Sequence, residues 1–171
     1  MTAAFMAVAS EAATGLNHKQ SPETKEAIDY LSKSKDFRSM YRQFGKSGAT
    51  ILLTDGVSSF DENANIVYWN PSDGNQVEAG IQSSALGLAH EIGHAVRFFQ
   101  NPTAYRNETV WPYNSATGKF RVSQEEIRNL PFEQSVARQL GEPLRYQYLD
   151  AQPYKAPSVT FGCFAGAPGC N

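Results

Sequence analysis

The 171-residue sequence predicts a single α+β domain, and three observations carry that prediction. Several segments repeat apolar residues at helical spacing, and two short runs rich in β-branched and aromatic residues lie between turn signals. No internal repeat or clear linker divides the chain, which is long enough to bury a hydrophobic core.

Residues 1–20 read as a flexible lead-in or the cut edge of a longer protein; the apolar run is short and broken and no basic residue precedes His18, so no clear signal peptide is expected. Ser21 is a good N-cap and Pro22 suits a first helical position, so "SPETKEAIDYL" opens a helix. Phe37, Met40, Tyr41 and Phe44 mark a second helix that should stop at Gly45. "ATILLT" (49–54) and "NIVYWN" (65–70) are the strand candidates, with turns at Asp55-Gly56 and 71–74.

From Ser84 to Phe99 the period is helical again, with an apolar stripe of Ala85, Leu88, Ala89, Ile92, Val96 and Phe99 that Asn101-Pro102 ends. A polar loop is expected over roughly 101–120, then two shorter helices, "SQEEIRNL" and "PFEQSVARQLG". The folded domain thus spans 21–150. Residues 151–171 form a Gly/Pro-rich C-terminal tail, read as a loop in which Cys163 and Cys170 are able to form a local disulfide.

Hydrophobic residues make up 41% of the chain and charged residues 19%, as in a soluble globular protein. A net charge of −2 gives no footprint for nucleic acid, and no apolar stretch is long enough for a membrane span. The chain is expected to act as a monomer.

The chemistry concentrates in "SSALGLAHEIGHAVRFFQNP" (83–102), which holds two of the three histidines. Residues four apart on a helix project from one side, so His90 and His94 are placed to offer two imidazole nitrogens to one Zn2+. Glu91 points beside the metal, where a carboxylate serves as general base and then as acid. H-E-x-x-H on a helix is the pattern of this arrangement, and the apolar stripe avoids both histidines, which are expected on the exposed face.

A catalytic zinc keeps three protein ligands and one open position. A third histidine six residues on would need glycine at 97 and histidine at 100, where the chain has Arg97 and Gln100. His18 lies in the lead-in. The remaining candidates are Glu108, Glu125, Glu126, Glu133, Glu142 and Asp150. Glu125-Glu126 leads, an acidic pair at a helix start just over thirty residues past His94, one member binding zinc and the other supporting it.

These residues in order, "ILLTDG", "NIVYWNPSDG", "SALGLAHEIGHAV", "EEIR" and "FEQSVARQLGEPLRYQY", resemble the effector-type zinc metalloproteases, which occur as bacterial type III effectors and as toxin domains of large polymorphic proteins. The resemblance covers about Ala49 to Tyr148. It implies a zincin-like fold, with a small mixed sheet packed on the H-E-x-x-H helix and a second helix bearing the third ligand. It also implies a secreted protein, delivered into a target cell and cleaving a protein there. Asn129 departs from it, since many members carry Thr or Val at that position.

Arg145-x-x-Tyr148 resembles the Arg-x-x-Tyr pair of clostridial neurotoxin light chains, which implies oxyanion stabilisation by the Tyr148 hydroxyl and the Arg145 charge. "NIVYWN" is expected as the exposed edge on which a peptide pairs, and Tyr105, Trp111 and Tyr113 as one wall of the cleft. A zinc endopeptidase is the leading reading. A zinc amidase or cell-wall peptidase could use the same residues. A non-catalytic zinc-binding module is disfavoured by Glu91, because a structural site has no use for an unligated carboxylate beside the metal.

Overall fold

The computed structural model describes residues 21–170 apart from 111, 112, 115–118 and 121; His18 and Trp111 lie outside the described residues. Helix α1 (Pro22–Leu31) starts where the Ser21 hydroxyl accepts from the Thr24 amide at 3.1 Å. Helix α2 (Lys35–Ser47) is capped by Ser34 and closes at Gly48, whose φ of 70° is the left-handed turn that glycine takes without strain. It runs past Gly45, because Gly45 is helical and the stop falls three residues later.

Strands β1 (Thr50–Leu53), β2 (Ser59–Asp61) and β3 (Ile66–Trp69) form a mixed sheet in the order β1-β3-β2. β3 pairs parallel with β1 and antiparallel with β2, so "NIVYWN" is the central strand and has no free edge. The expected peptide-pairing edge is therefore overturned. Its alternation turns one face to the core, with Val67 and Trp69 fully buried and Ile66 and Tyr68 half-buried on the other.

β4 (Asp73–Val77) and β5 (Gly80–Gln82) form an antiparallel hairpin too short and polar to read from sequence. The C-terminal residues widen it: β8 (Gln152–Lys155) pairs with β4 and β9 (Cys163–Phe164) with β5. The tail is thus part of a sheet and not a loop, with Cys163 and Cys170 disulfide-bonded and Val159 in the core. The small β6 (Tyr113–Asn114) and β7 (Lys119–Phe120) pair with each other, and α4 (Pro102–Glu108) precedes them where a loop was expected.

Helix α3 (Ser84–Gln100) runs through the centre, capped by the Ser83 hydroxyl. Leu86, Leu88, Ala89, Ile92 and Val96 pack with Phe37, Phe44, Val67, Trp69, Val136 and Ala137. Each fully buried large side chain of this set stabilises the fold by roughly 1.5–3 kcal/mol relative to exposure. Trp69 Nε1 donates to the Ser84 carbonyl at 2.8 Å, tying the sheet to the start of α3.

The last helix, α5 (Gln124–Leu140), is one 17-residue helix and not two. Pro131 lies inside it and lacks the N–H that would bond the Ile127 carbonyl, a loss that usually breaks a helix. Ile127 is exposed, so water can take that carbonyl, and α5 continues to Gly141. The chain is mixed α and β as expected, and no helix among the described residues is long and apolar enough to cross a membrane.

Candidate metal centre

The site lies where α3 and α5 cross. Close approach is possible because residue 93 is glycine: a Cβ there would sit 2.2 Å from Asn129 Oδ1. Asn129 Nδ2 donates to the His90 carbonyl at 2.8 Å, locking the helices at that point. α5 then presents Glu125, Glu126, Asn129 and Glu133 to α3, the last three at positions i, i+3 and i+7 of one face. His90 and His94 are therefore buried under α5, not on the exposed face of α3. The apolar stripe marked one buried face, and α5 buries the polar one.

His90 Nε2 and His94 Nε2 stand 2.9 Å apart, and Glu126 Oε2 is 3.0 Å from the first and 3.4 Å from the second. The opposite ring nitrogens are held from behind. His90 Nδ1 lies 2.9 Å from Glu133 Oε2, and His94 Nδ1 lies against Glu125 Oε2. With a carboxylate behind each Nδ1, the two Nε2 atoms and a carboxylate oxygen face one another in a buried space. Such a set repels itself unless a proton or a cation lies among the three.

Ligands about 2.0–2.1 Å from a tetrahedral zinc stand about 3.3 Å apart, close to these separations. Carboxylates behind both histidines are what metal-bound imidazoles ordinarily have. The residues therefore fit a divalent cation. Two overlapping clusters among the described residues could hold one, His90 with Glu91 and His94, and His94 with Glu125 and Glu126.

The electrostatics agree. Burial would lower the His94 pKa, but hydrogen bonds from Glu125 and Glu126 outweigh it and push it up to about 10. His90 is raised too: burial and the His94 charge lower it, and Glu126 and Glu133 more than offset them. Burial would raise the Glu126 carboxyl, yet its hydrogen bonds to both imidazoles hold it well below the usual carboxylate range. Without a metal the site keeps protons where a cation would go.

Glu91 is half-buried, and its carboxyl is pushed up by burial, with His94 and His90 pulling the other way. Tyr148 begins a short 3₁₀ turn (Tyr148–Asp150), with its ring centroid 6.1 Å from that of His90. Burial, then the charges of Glu126 and Glu91, and lastly a hydrogen bond to Glu126 drive its phenol far above the ordinary range, so it stays protonated. The Arg145 guanidinium lies 4.8 Å from the Tyr148 ring centroid and pairs with Glu133.

The expected residues thus come together: His90, Glu91, His94, Glu126 and Tyr148 around one point, with Glu125 and Arg145 directly behind. The other candidate ligands are engaged elsewhere. Glu108 binds Arg97, while Glu142 accepts from the Ser83 amide at 2.7 Å and from Tyr30 Oη at 2.8 Å. The Asp150 side chain lies outside the described residues. Tyr105 is buried against Phe60 and Phe98 and also sets its ring edge-on to His94, with centroids 6.2 Å apart, so it covers the core beside the site; the Tyr113 side chain is not described.

Sequence reasoning had Glu133 only among the candidate ligands and missed its place behind His90, the Gly93–Asn129 contact, and Arg97 behind Glu125. The i, i+7 spacing of Glu126 and Glu133 would have found the first, had Pro131 not divided the helix. No protein-family model, no curated protein and no solved structure matches this chain.

Proposed function

We propose that the chain is a zinc-dependent endopeptidase of the effector type, with a zincin-like fold, acting as a monomer on a protein of a target cell. One observation carries the reading: His90 Nε2, His94 Nε2 and Glu126 Oε2 converge within 2.9–3.4 Å of one another. These three would hold zinc, and Glu125 and Glu133 would orient the imidazoles. Zinc supplies Lewis acidity and makes a water acidic near neutral pH.

The chain's own residues do the rest. Glu91, whose carboxyl is pushed up by burial, takes the proton of the attacking water and passes it to the departing amide nitrogen. Tyr148 remains a phenol and donates to the developing oxyanion. Arg145, paired with Glu133, places its positive charge under the Tyr148 ring and supports that orientation. Delivery into a target cell rests on the sequence resemblance.

The test is zinc content per chain together with cleavage of an unfolded protein. Wild type should hold about one zinc, which His94→Ala and Glu126→Gln lose. Glu91→Gln should keep the zinc and lose activity by about 10²–10⁴-fold. A wild type that takes up no zinc on loading, or a fully active Glu91→Gln, would overturn the reading. Cleavage of peptidoglycan stems but not of proteins would reassign the substrate.

A further inference from the structure

Behind Glu125 the contacts continue. Arg97, one turn beyond His94 on α3, donates from Nε to Glu125 Oε1 at 2.5 Å and from Nη2 to Glu108 Oε2 at 3.0 Å. Arg128 on α5 meets the other Glu108 oxygen at 2.5 Å. Glu125 therefore divides its two oxygens, one on His94 Nδ1 and one on Arg97 Nε, and both partners are fixed in place by the helices that carry them. A carboxylate gripped at both oxygens cannot rotate about its last bond. Arg97 thus sets the direction in which Glu125 faces His94.

We propose that Arg97 is a positioning residue for the metal site, acting through Glu125 on His94. The inference rests on the zinc reading above for its consequence, and on geometry alone for its mechanism. An exposed Arg–Glu pair would carry little weight. This one differs because its Glu125 end is 1% exposed and spends its second oxygen on the imidazole. Removing Arg97 leaves Glu125 with one oxygen unpaired, so the carboxylate turns and His94 loses its fixed orientation. Losing a contact that orients a metal-binding histidine costs about 10–100-fold in metal affinity, and Arg97 is one contact further out.

Two readouts test this on Arg97→Gln and Arg97→Lys. The first is the Nδ1–H proton of His94 in the NMR spectrum of the zinc-free protein, expected low-field and slowly exchanging in wild type. The second is zinc affinity, with the visible spectrum of the cobalt-substituted protein as a signature of ligand geometry. Arg97→Gln should lose the proton signal, alter the cobalt spectrum and weaken zinc about tenfold. Arg97→Lys, which can still donate to Glu125, should restore the signal and most of the affinity.

Retention of the His94 signal in Arg97→Gln overturns the proposal, and so does weaker zinc binding with an unchanged signal, which would indicate general loosening. If wild type binds no zinc, the functional reading fails, and the proton signal alone decides the role of Arg97. If Arg97→Gln does not fold, Glu108→Gln, which loosens the outer hand of Arg97 and Arg128 but leaves the Arg97–Glu125 contact, replaces it. The same signal should then broaden, and an unchanged one overturns the proposal.

Discussion

Two arms of the same chemistry reach the centre from opposite sides and differ in how deeply they are buried. In one, His90 is backed by Glu133 and Glu133 by Arg145; in the other, His94 is backed by Glu125 and Glu125 by Arg97. Arg145 is 6% exposed, lies against the Tyr148 ring and shares Glu133 with Gln82 Nε2 at 3.3 Å. The Arg97 side chain is 27% exposed and continues outward to Glu108 and Arg128, the latter side chain 58% exposed. The inner arm is closed off from water, and the outer arm ends in it. An ion pair sealed from water adds little net stability yet is costly to break, whereas one that ends at the surface can be re-solvated when a partner is lost.

The largest expected consequence separates the arms by stability. Arg145→Met strands the Glu133 charge in the interior and should destabilise the zinc-free protein by about 3–5 kcal/mol. Arg97→Met should cost about 1–2 kcal/mol, because water can reach the freed Glu125 oxygen along the outer arm. Urea unfolding of both variants without metal measures the difference. Equal losses would erase the distinction between a sealed arm and an open one.

The two arms were also unequally legible in the sequence. His90, Glu91 and His94 could be read because helix geometry alone puts them together, and a helix period was plain from Ala85 to Phe99. Glu125 and Glu126 could be narrowed to a pair because they open a helix, but which oxygen meets which nitrogen depends on the angle at which α5 crosses α3. That angle is set by Gly93 against Asn129, and a glycine inside a helix pattern carries no visible mark of the neighbour it admits.

Glu133 stood among the candidate ligands, but its place behind His90 was not legible because Pro131 reads as a helix end. The chain overrides that signal by leaving the freed Ile127 carbonyl near solvent. The α+β class was legible. The β4–β5 hairpin and its partners β8 and β9 were not, since "DGNQV" and "GIQ" have neither length nor apolar alternation, and pairing at long sequence separation defines them.

A smaller effect separates the arms by pH. The His94 imidazole is raised from its ordinary 6.5 to about 10, so its proton stabilises the zinc-free fold fully below pH 6.5, and this contribution is lost as pH rises through about 10. Zinc must displace that proton within the window. Apparent zinc affinity should therefore rise by at least about tenfold per pH unit from 6.5 towards 10, with the His94 proton released per metal and the His90 proton added wherever that raised group is still charged. Glu125→Gln removes the strongest raising partner of His94, so the slope should flatten in the upper part of the window. Glu133→Gln removes a partner that raises His90, so it should weaken zinc and lower the His90 share of the slope while leaving the His94 share, which extends towards pH 10, in place. Affinities from chelator competition at several pH values decide this, and an identical slope in both variants would place the displaced proton elsewhere.

The smallest effect is a salt dependence that only the outer arm can show. Screening shortens from about 10 Å at 0.1 M to about 3 Å at 1 M salt, and it acts on charges that water reaches. Arg128, Glu108 and the outer hand of Arg97 meet that condition; Glu133 and Arg145 do not. Raising a salt that does not coordinate zinc over this range should loosen the Arg97–Glu108 contact, relax the grip on Glu125 and weaken zinc by less than about threefold. Glu108→Gln has already lost the salt-sensitive contact, so its weaker affinity should be nearly constant across the same range. The Glu133–Arg145 pair serves as an internal control, because zinc binding in Glu133→Gln should keep the wild-type salt response. If Glu108→Gln retained the full salt dependence, the screened charges would lie outside the Arg97 arm, and the contrast between an open and a sealed side would have no electrostatic consequence at the metal.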